Sequence, residues 1–262
     1  MNRIDAAFAD LRRRGAKAFI PYLTAGLPDP AAQAATLADL QRAGATLVEL
    51  GIPYSDPIAD GPVIQASFND ALRKGVSRRQ VLDIVRAARA AGVTLPLVAM
   101  VSYAIIHRTG AERYVREAAE AGFDGMIVPD LPVEEAEALA VVCAAHNFRL
   151  TLLVAPTTPP ERRKRIAELS SGFLYCLSIT GITGERTALP AELSANVAAL
   201  KAATDKPVCV GFGISRPEHV AAAVAAGADG VIVGSALVKV QSDREALVAK
   251  VRELAAALPT TR

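Results

Sequence analysis

The sequence predicts an α/β fold, a single (β/α)8 TIM barrel over residues 1–262 with an extra N-terminal helix, and three observations carry that expectation. Eight short apolar runs alternate with longer Ala-rich segments of helical spacing. The runs are nearly continuous in hydrophobicity, as expected of parallel strands buried on both faces. Several Ala-rich segments stop at Ala-Gly just before the next run, the helix C-terminal stop of a β/α unit. Eight such units over about 250 residues, with no linker or shift in composition, match a single barrel. An open doubly wound sheet is the rival, because periodicity does not show whether a sheet closes.

In chain order, 3–13 reads as a helix ahead of the first strand, placed to plug the N-terminal end of the barrel. The strands follow at 18–22, 46–50, 95–100, 125–128, 150–154, 173–177, 207–211 and 230–234. Helices are expected at 29–43, 77–91, 111–121, 133–145, 159–169, 193–202 and 217–226. Several open on a capping residue or a first-turn Pro, and four end at Ala43-Gly44, Ala91-Gly92, Ala121-Gly122 and Ala226-Gly227.

Composition agrees with this layout and narrows the partners. Hydrophobic residues make up 52% and aromatics only 5%, with no Trp, so the core is aliphatic. Lys plus Arg number 29 against 27 Asp plus Glu. A net charge of +2 gives no electrostatic case for nucleic acid or membrane. The basic runs at 12–14 and 162–165 read as solvated helix faces. Cys143, Cys176 and Cys209 lack any C-x-x-C pairing and read as small buried hydrophobes in a reducing compartment. The first fifteen residues mix acids and bases, and no apolar stretch approaches the roughly 20 residues of a spanning helix. A cytoplasmic protein is expected.

Function concentrates where the second strand ends. In Val48-Glu49-Leu50-Gly51-Ile52-Pro53-Tyr54-Ser55-Asp56-Pro57-Ile58-Ala59-Asp60-Gly61 an apolar strand carries a glutamate and leads into a loop with two more carboxylates. Active sites of barrels form at the C-terminal ends of their strands. Alternation puts Leu47 and Glu49 on one face. If that face is the lumen, desolvation raises the Glu49 pKa and makes it a proton donor and acceptor near neutral pH. Asp60, just before the next helix, would then supply a second carboxylate in a different environment. The plainer alternative pairs Glu49 with a barrel Lys or Arg and makes Asp60 a helix cap. Asp56 reads equally well as turn chemistry.

A second constellation follows the last two strands. Gly211-Phe212-Gly213-Ile214-Ser215 and Gly234-Ser235 each lead toward a helix, so their backbones can cradle a phosphate without Lys or Arg. The loop 180–187, rich in Gly and Thr, either closes over a substrate or is an ordinary exposed loop. Tyr175 is either core or lumen. His107, His146 and His219 have no ligand spacing, and no metal is expected.

These residues resemble one family. The stretch 48–61 is similar to the signature of tryptophan synthase alpha chains, with its glutamate, Gly51, Tyr54-Ser55-Asp56-Pro57 and Asp60-Gly61 in order. The similarity continues through Pro21-Tyr22-Leu23-Thr24-Ala25-Gly26, Pro129-Asp130-Leu131-Pro132, Thr183-Gly184, Gly211-Phe212-Gly213-Ile214-Ser215 and Val233-Gly234-Ser235. The resemblance implies a lyase of tryptophan biosynthesis that cleaves indole-3-glycerol phosphate into indole and glyceraldehyde 3-phosphate by a retro-aldol reaction. It implies Glu49 as proton shuttle and Asp60 as stabiliser of positive charge at the indole nitrogen. Gly184, Gly213, Gly234 and Ser235 would bind the phosphate. Tyr22, Met100, Ile127, Tyr175 and Phe212 would line the indole and glycerol pocket, and Thr183 would lie on a mobile loop.

The resemblance further implies no cofactor in this chain. Its expected partner is a pyridoxal-phosphate-dependent beta chain in an alpha2-beta2 heterotetramer, with the loops near Asp56 and Thr183 coupling the two sites. Two alternatives stand beside it: a stand-alone indole-3-glycerol phosphate lyase of a secondary pathway, and a non-catalytic, phosphate-binding regulatory subunit. One departure concerns the turn after the third strand. Family members carry a Tyr-x-Asn-Pro-like turn there, where this chain has Ser102-Tyr103-Ala104-Ile105. Pocket geometry and coupling to the partner are the properties it touches.

Overall fold

The computed structural model describes residues 1–57, 60–178 and 189–259. Its strands are β1 (Ala18–Thr24), β2 (Val48–Gly51), β3 (Leu97–Met100), β4 (Gly125–Ile127), β5 (Arg149–Thr151), β6 (Leu153–Val154), β7 (Leu174–Leu177), β8 (Val208–Gly211) and β9 (Gly230–Val233). All pair in parallel, in the order β5-β4-β3-β2-β1-β9-β8-β7-β6. The two ends of that order, β5 and β6, are one extended run interrupted only at Leu152. The sheet therefore closes on itself, which decides for the barrel over the open sheet.

The expected strand at 150–154 is thus two short segments, one on each neighbour. At the seam, side chains replace part of the ladder. Leu150 N–H donates to Ser171 Oγ (2.9 Å) and Leu152 N–H to Ser170 Oγ (3.2 Å), while the Leu152 carbonyl accepts from Tyr175 N–H. A strand that must leave one partner and join the next bends, and the serines satisfy the amides freed by the bend.

The helices are α1 (Arg3–Arg14), α2 (Pro30–Arg42), α3 (Pro62–Arg73), α4 (Arg78–Ala90), α5 (Tyr103–Thr109), α6 (Ala111–Ala121), α7 (Ala136–Ala145), α8 (Pro160–Leu169), α9 (Leu193–Ala203), α10 (Pro217–Ala225), α11 (Ser235–Val238) and α12 (Arg244–Ala255). Their ends follow the local chemistry. The Asp29 side chain caps α2 and Pro30 fills its first turn, while Ser77 and Gln80 close a capping box on α4. Gly44, Gly92, Gly122 and Gly227 all have positive φ, the conformation that ends a helix and that L side chains rarely adopt. The expected helix at 133–145 opens as a 3₁₀ turn, Val133–Glu135, before α7. α3, α5, α11 and α12 lie outside the ranges given for helices, although α3 and α11 do follow Asp60 and Gly234, where a helix is expected to begin. α5 has too few residues for periodicity to register, whereas α12 buries Leu247, Val251 and Leu254 at helical spacing and is capped by Asp243.

Two apolar layers result. Outward-facing strand residues such as Phe19, Val48, Leu50 and Ala99 pack under the helices. Inward-facing Ala18, Ile20, Leu47, Val98, Phe173, Cys209 and Ile232 fill the lumen together with Ile4, Phe8 and Leu11 of α1. α1 therefore plugs the N-terminal end, with Phe8 against Phe173 at 5.6 Å between ring centroids. Asn2 fixes it there. Its Oδ1 caps Ile4 N–H and its Nδ2 donates to the carbonyls of Asp124 and Asn147, all at 2.8 Å. With the lower lumen filled, only the upper end can hold a ligand. The three cysteines are buried free thiols, and burial pushes Cys143 and Cys176 up to about 12. Arg12 to Arg14 are exposed, as expected of a solvated face. No helix among the described residues is long and apolar enough to cross a membrane.

Candidate active site

Glu49 does point inward, as alternation predicts, since Leu47 belongs to the luminal layer while Val48 and Leu50 belong to the outer one. The side chain is 1% exposed, and its Oε2 has no hydrogen-bond partner among the described residues. Burial first, and then the charge of Asp60, pushes the Glu49 carboxyl up to about 8. Among the described residues no cation contributes to this shift, so no described Lys or Arg neutralises Glu49. A carboxyl so placed keeps its proton at neutral pH and can deliver it.

Asp60 is 6% exposed and sits one residue before Gly61, the N-cap of α3. No side chain caps that helix, so capping does not explain Asp60 either. Its backbone is pinned on both sides: Asp60 N–H donates to the Pro57 carbonyl (3.1 Å), and Gln65 Nε2 donates to the Asp60 carbonyl (2.7 Å). Burial and then Asp130 raise its pKa to about 6. At pH 7 the site therefore holds a protonated Glu49 beside an ionised Asp60, two carboxyl groups made different by their surroundings. Asp56 is exposed and its carboxylate accepts from Ser55 Oγ, in keeping with turn chemistry.

The expected apolar lining converges on the same end of the lumen. Tyr22 is the register partner of Glu49 across β1 and β2, and Met100 pairs with Gly51 on one side and Ile127 on the other. Tyr175 is luminal and meets Phe212 edge-on at 6.1 Å. Two glycines make room for the tyrosine hydroxyls: a β-carbon at Gly51 would collide with Tyr22, and one at Gly211 with Tyr175. Phe212 is held at φ 74°, an uncommon conformation for a bulky residue, and Ser178 Oγ donates to its carbonyl. Gly213 follows at φ 75°. Gly234 and Ser235 open α11 directly after β9, and the first amides of a helix lack intrahelical acceptors. Gly184 and Thr183, also expected here, lie outside the described residues.

The residue that sequence reasoning missed is Asp130, in the Pro129-Asp130 pair after β4. Its Oδ2 accepts from Ser102 Oγ (2.6 Å) and its Oδ1 from Tyr103 N–H (2.8 Å). Ser102 in turn caps α5. The unusual Ser102-Tyr103-Ala104-Ile105 turn is thus a capped helix start tied to the loop whose charge reaches Asp60. Among the described residues no group of three or more His, Cys, Asp or Glu could hold a metal ion.

Comparison with known proteins agrees with this geometry. The family model described as tryptophan synthase alpha chain matches residues 8–260. The chain belongs to the tryptophan synthase alpha-chain family. It is 51% identical over 245 residues to the tryptophan synthase alpha chain of Rhodopirellula baltica, covering 93% of this chain and 88% of that one. To the Synechocystis alpha chain it is 49% identical, covering 91% and 90%. Among solved structures, tryptophan synthase of Mycobacterium tuberculosis superposes with a TM-score of 0.90 at 38% identity, with 98% of each chain covered. The alpha subunit of Legionella pneumophila gives 0.88 at 37%, again with 98% of each chain covered. The family match, over residues 8–260, spans all nine strands of the barrel.

Proposed function

We propose that this chain cleaves indole-3-glycerol phosphate to indole and glyceraldehyde 3-phosphate, with Glu49 and Asp60 as its catalytic residues. The observation that carries the reading is the buried, unpaired Glu49 carboxyl beside an ionised Asp60.

Glu49 gives its proton to C3 of the indole ring, and the positive charge that develops at the ring nitrogen is stabilised by the Asp60 carboxylate. The resulting Glu49 carboxylate takes the proton of the hydroxyl on the carbon attached to C3. That hydroxyl becomes the aldehyde, the bond to C3 breaks, and its electron pair restores the aromatic ring. Glu49 ends as it began, protonated, which suits a group with a pKa of about 8. The reaction is redox-neutral and each proton has a named carrier, so it needs no cofactor in this chain. Gly213, Gly234 and Ser235 would hold the phosphate through backbone amides, while Tyr22, Met100, Ile127, Tyr175 and Phe212 exclude water from the indole.

The family name also supports a partner, a pyridoxal-phosphate-dependent beta chain in an alpha2-beta2 assembly that consumes the indole in the cytoplasm. The deciding experiment is an indole assay with indole-3-glycerol phosphate, on the chain alone and after gel filtration with the cognate beta chain. Cleavage that rises in the complex supports the subunit reading. Full activity of the chain alone would favour a stand-alone lyase, and no indole in either case would overturn the proposal.

A further inference from the structure

Two buried polar atoms at the upper end of the lumen lack partners among the described residues, Glu49 Oε2 and the Tyr22 hydroxyl. The residues face each other in register on adjacent parallel strands, so their side chains share the luminal side. Tyr22 is 3% exposed, and leaving a hydroxyl buried and unbonded is costly unless a ligand completes it. Its ring runs between two parts of the proposed site. The stem passes Gly234, where an added β-carbon would lie 3.7 Å from Tyr22 Cδ1, and the hydroxyl ends against Gly51, two residues beyond Glu49.

On the reading above, the phosphate lies at Gly234 and the reacting carbon at Glu49, so the three-carbon chain between them passes Tyr22. That chain carries two hydroxyls. One, on the reacting carbon, gives its proton to Glu49, and the other has no assigned partner. We infer that the Tyr22 hydroxyl hydrogen-bonds this second hydroxyl and makes the enzyme selective for a hydroxylated over a deoxygenated chain. A site built to bond a hydroxyl discriminates against a ligand that lacks it, because its own polar group is then left unpaired.

The inference rests on the proposed substrate, and its test separates the two. Cleavage of indole-3-glycerol phosphate is measured for the full chain and for Tyr22→Phe, alongside the affinity of each for indole-3-propanol phosphate, which has the same ends but no chain hydroxyls. Tyr22→Phe keeps the ring in place and removes a hydroxyl with no well-formed hydrogen bond among the described residues, so its Tm should stay close to that of the parent. The expected result is a roughly 3- to 10-fold loss in kcat/KM for the substrate, the size of one neutral hydrogen bond, with affinity for the propanol analogue unchanged or improved. Equal losses for substrate and analogue, or no loss for either, would overturn the role of Tyr22 while leaving the proposed function standing. If the unmodified chain forms no indole, the proposed function fails and this inference falls with it.

Discussion

Asp60 and Glu49 form a coupled pair of buried carboxyl groups in which Asp60 ionises first and Glu49 titrates against its charge. The charge of Asp60 helps lift the Glu49 carboxyl to about 8, whereas Asp60 itself is lifted to about 6 by burial and Asp130. The asymmetry follows from the order of titration. When Asp60 loses its proton Glu49 is still neutral, and when Glu49 titrates it meets a charge already in place.

This order gives a bell-shaped pH profile. Cleavage needs Asp60 ionised and Glu49 protonated, so kcat/KM should rise through about pH 6 and fall through about pH 8. The two limbs belong to the coupled pair. Measuring kcat/KM from pH 5 to 10 checks this, and a rate that is flat to pH 10 would remove Glu49 from the acid role.

Neutralising Asp130 should move the acid limb alone. Asp130→Asn removes the charge that helps raise Asp60, so half-maximal activity on the acid side should shift to lower pH while the alkaline side stays put. The amide oxygen can still accept from Tyr103 N–H and its NH2 can donate to Ser102 Oγ, which still accepts from Ala104 N–H, so α5 should keep its cap. An unchanged acid limb would mean that burial alone sets Asp60.

Glu49→Gln should lower indole formation by at least about 10²- to 10⁴-fold, the usual worth of a general acid–base group. Binding of indole-3-propanol phosphate, followed calorimetrically, should be nearly unaffected. Retained turnover would remove the proton-transfer role.

The same substitution makes a stability prediction with a definite sign. Unfolded Glu49 gives up its proton near 4.5, while folded Glu49 holds it to about 8. Between those values the folded state binds more protons, so the parent loses stability as pH rises and Gln does not. Urea denaturation should show the variant gaining on the parent from pH 5 to pH 8, by on the order of a few kcal/mol in total. A constant difference across that range would contradict a raised Glu49.

The plug should matter to stability and not to chemistry. Phe8→Ala empties a buried ring site against Phe173 and should cost about 3–5 kcal/mol, with the pH limbs unmoved. Thermal unfolding and the pH profile of the variant check the two halves of that statement.

Much of this was legible in the sequence. The apolar runs located the strands because a strand buried on both faces must be apolar throughout, and the Ala-Gly pairs marked helix ends because only glycine readily takes the left-handed conformation there. The alternation Leu47-Val48-Glu49-Leu50 aimed Glu49 inward, since neighbouring strand residues face opposite sides. These are local rules, satisfied within a few residues of chain. Tertiary structure decided the rest, because it depends on groups distant in sequence. Closure rests on the single run 149–154 pairing with β4 through β5 and with β7 through β6. The difference between Glu49 and Asp60 comes from burial and from Asp130, seventy residues beyond Asp60, acting through space. The orphaned hydroxyl of Tyr22 beside Gly51 likewise exists only once β1 and β2 lie in register. Residue types and periodicity fix which groups face the lumen, but a pKa or an unmet hydrogen bond is set by what those groups find when the barrel closes.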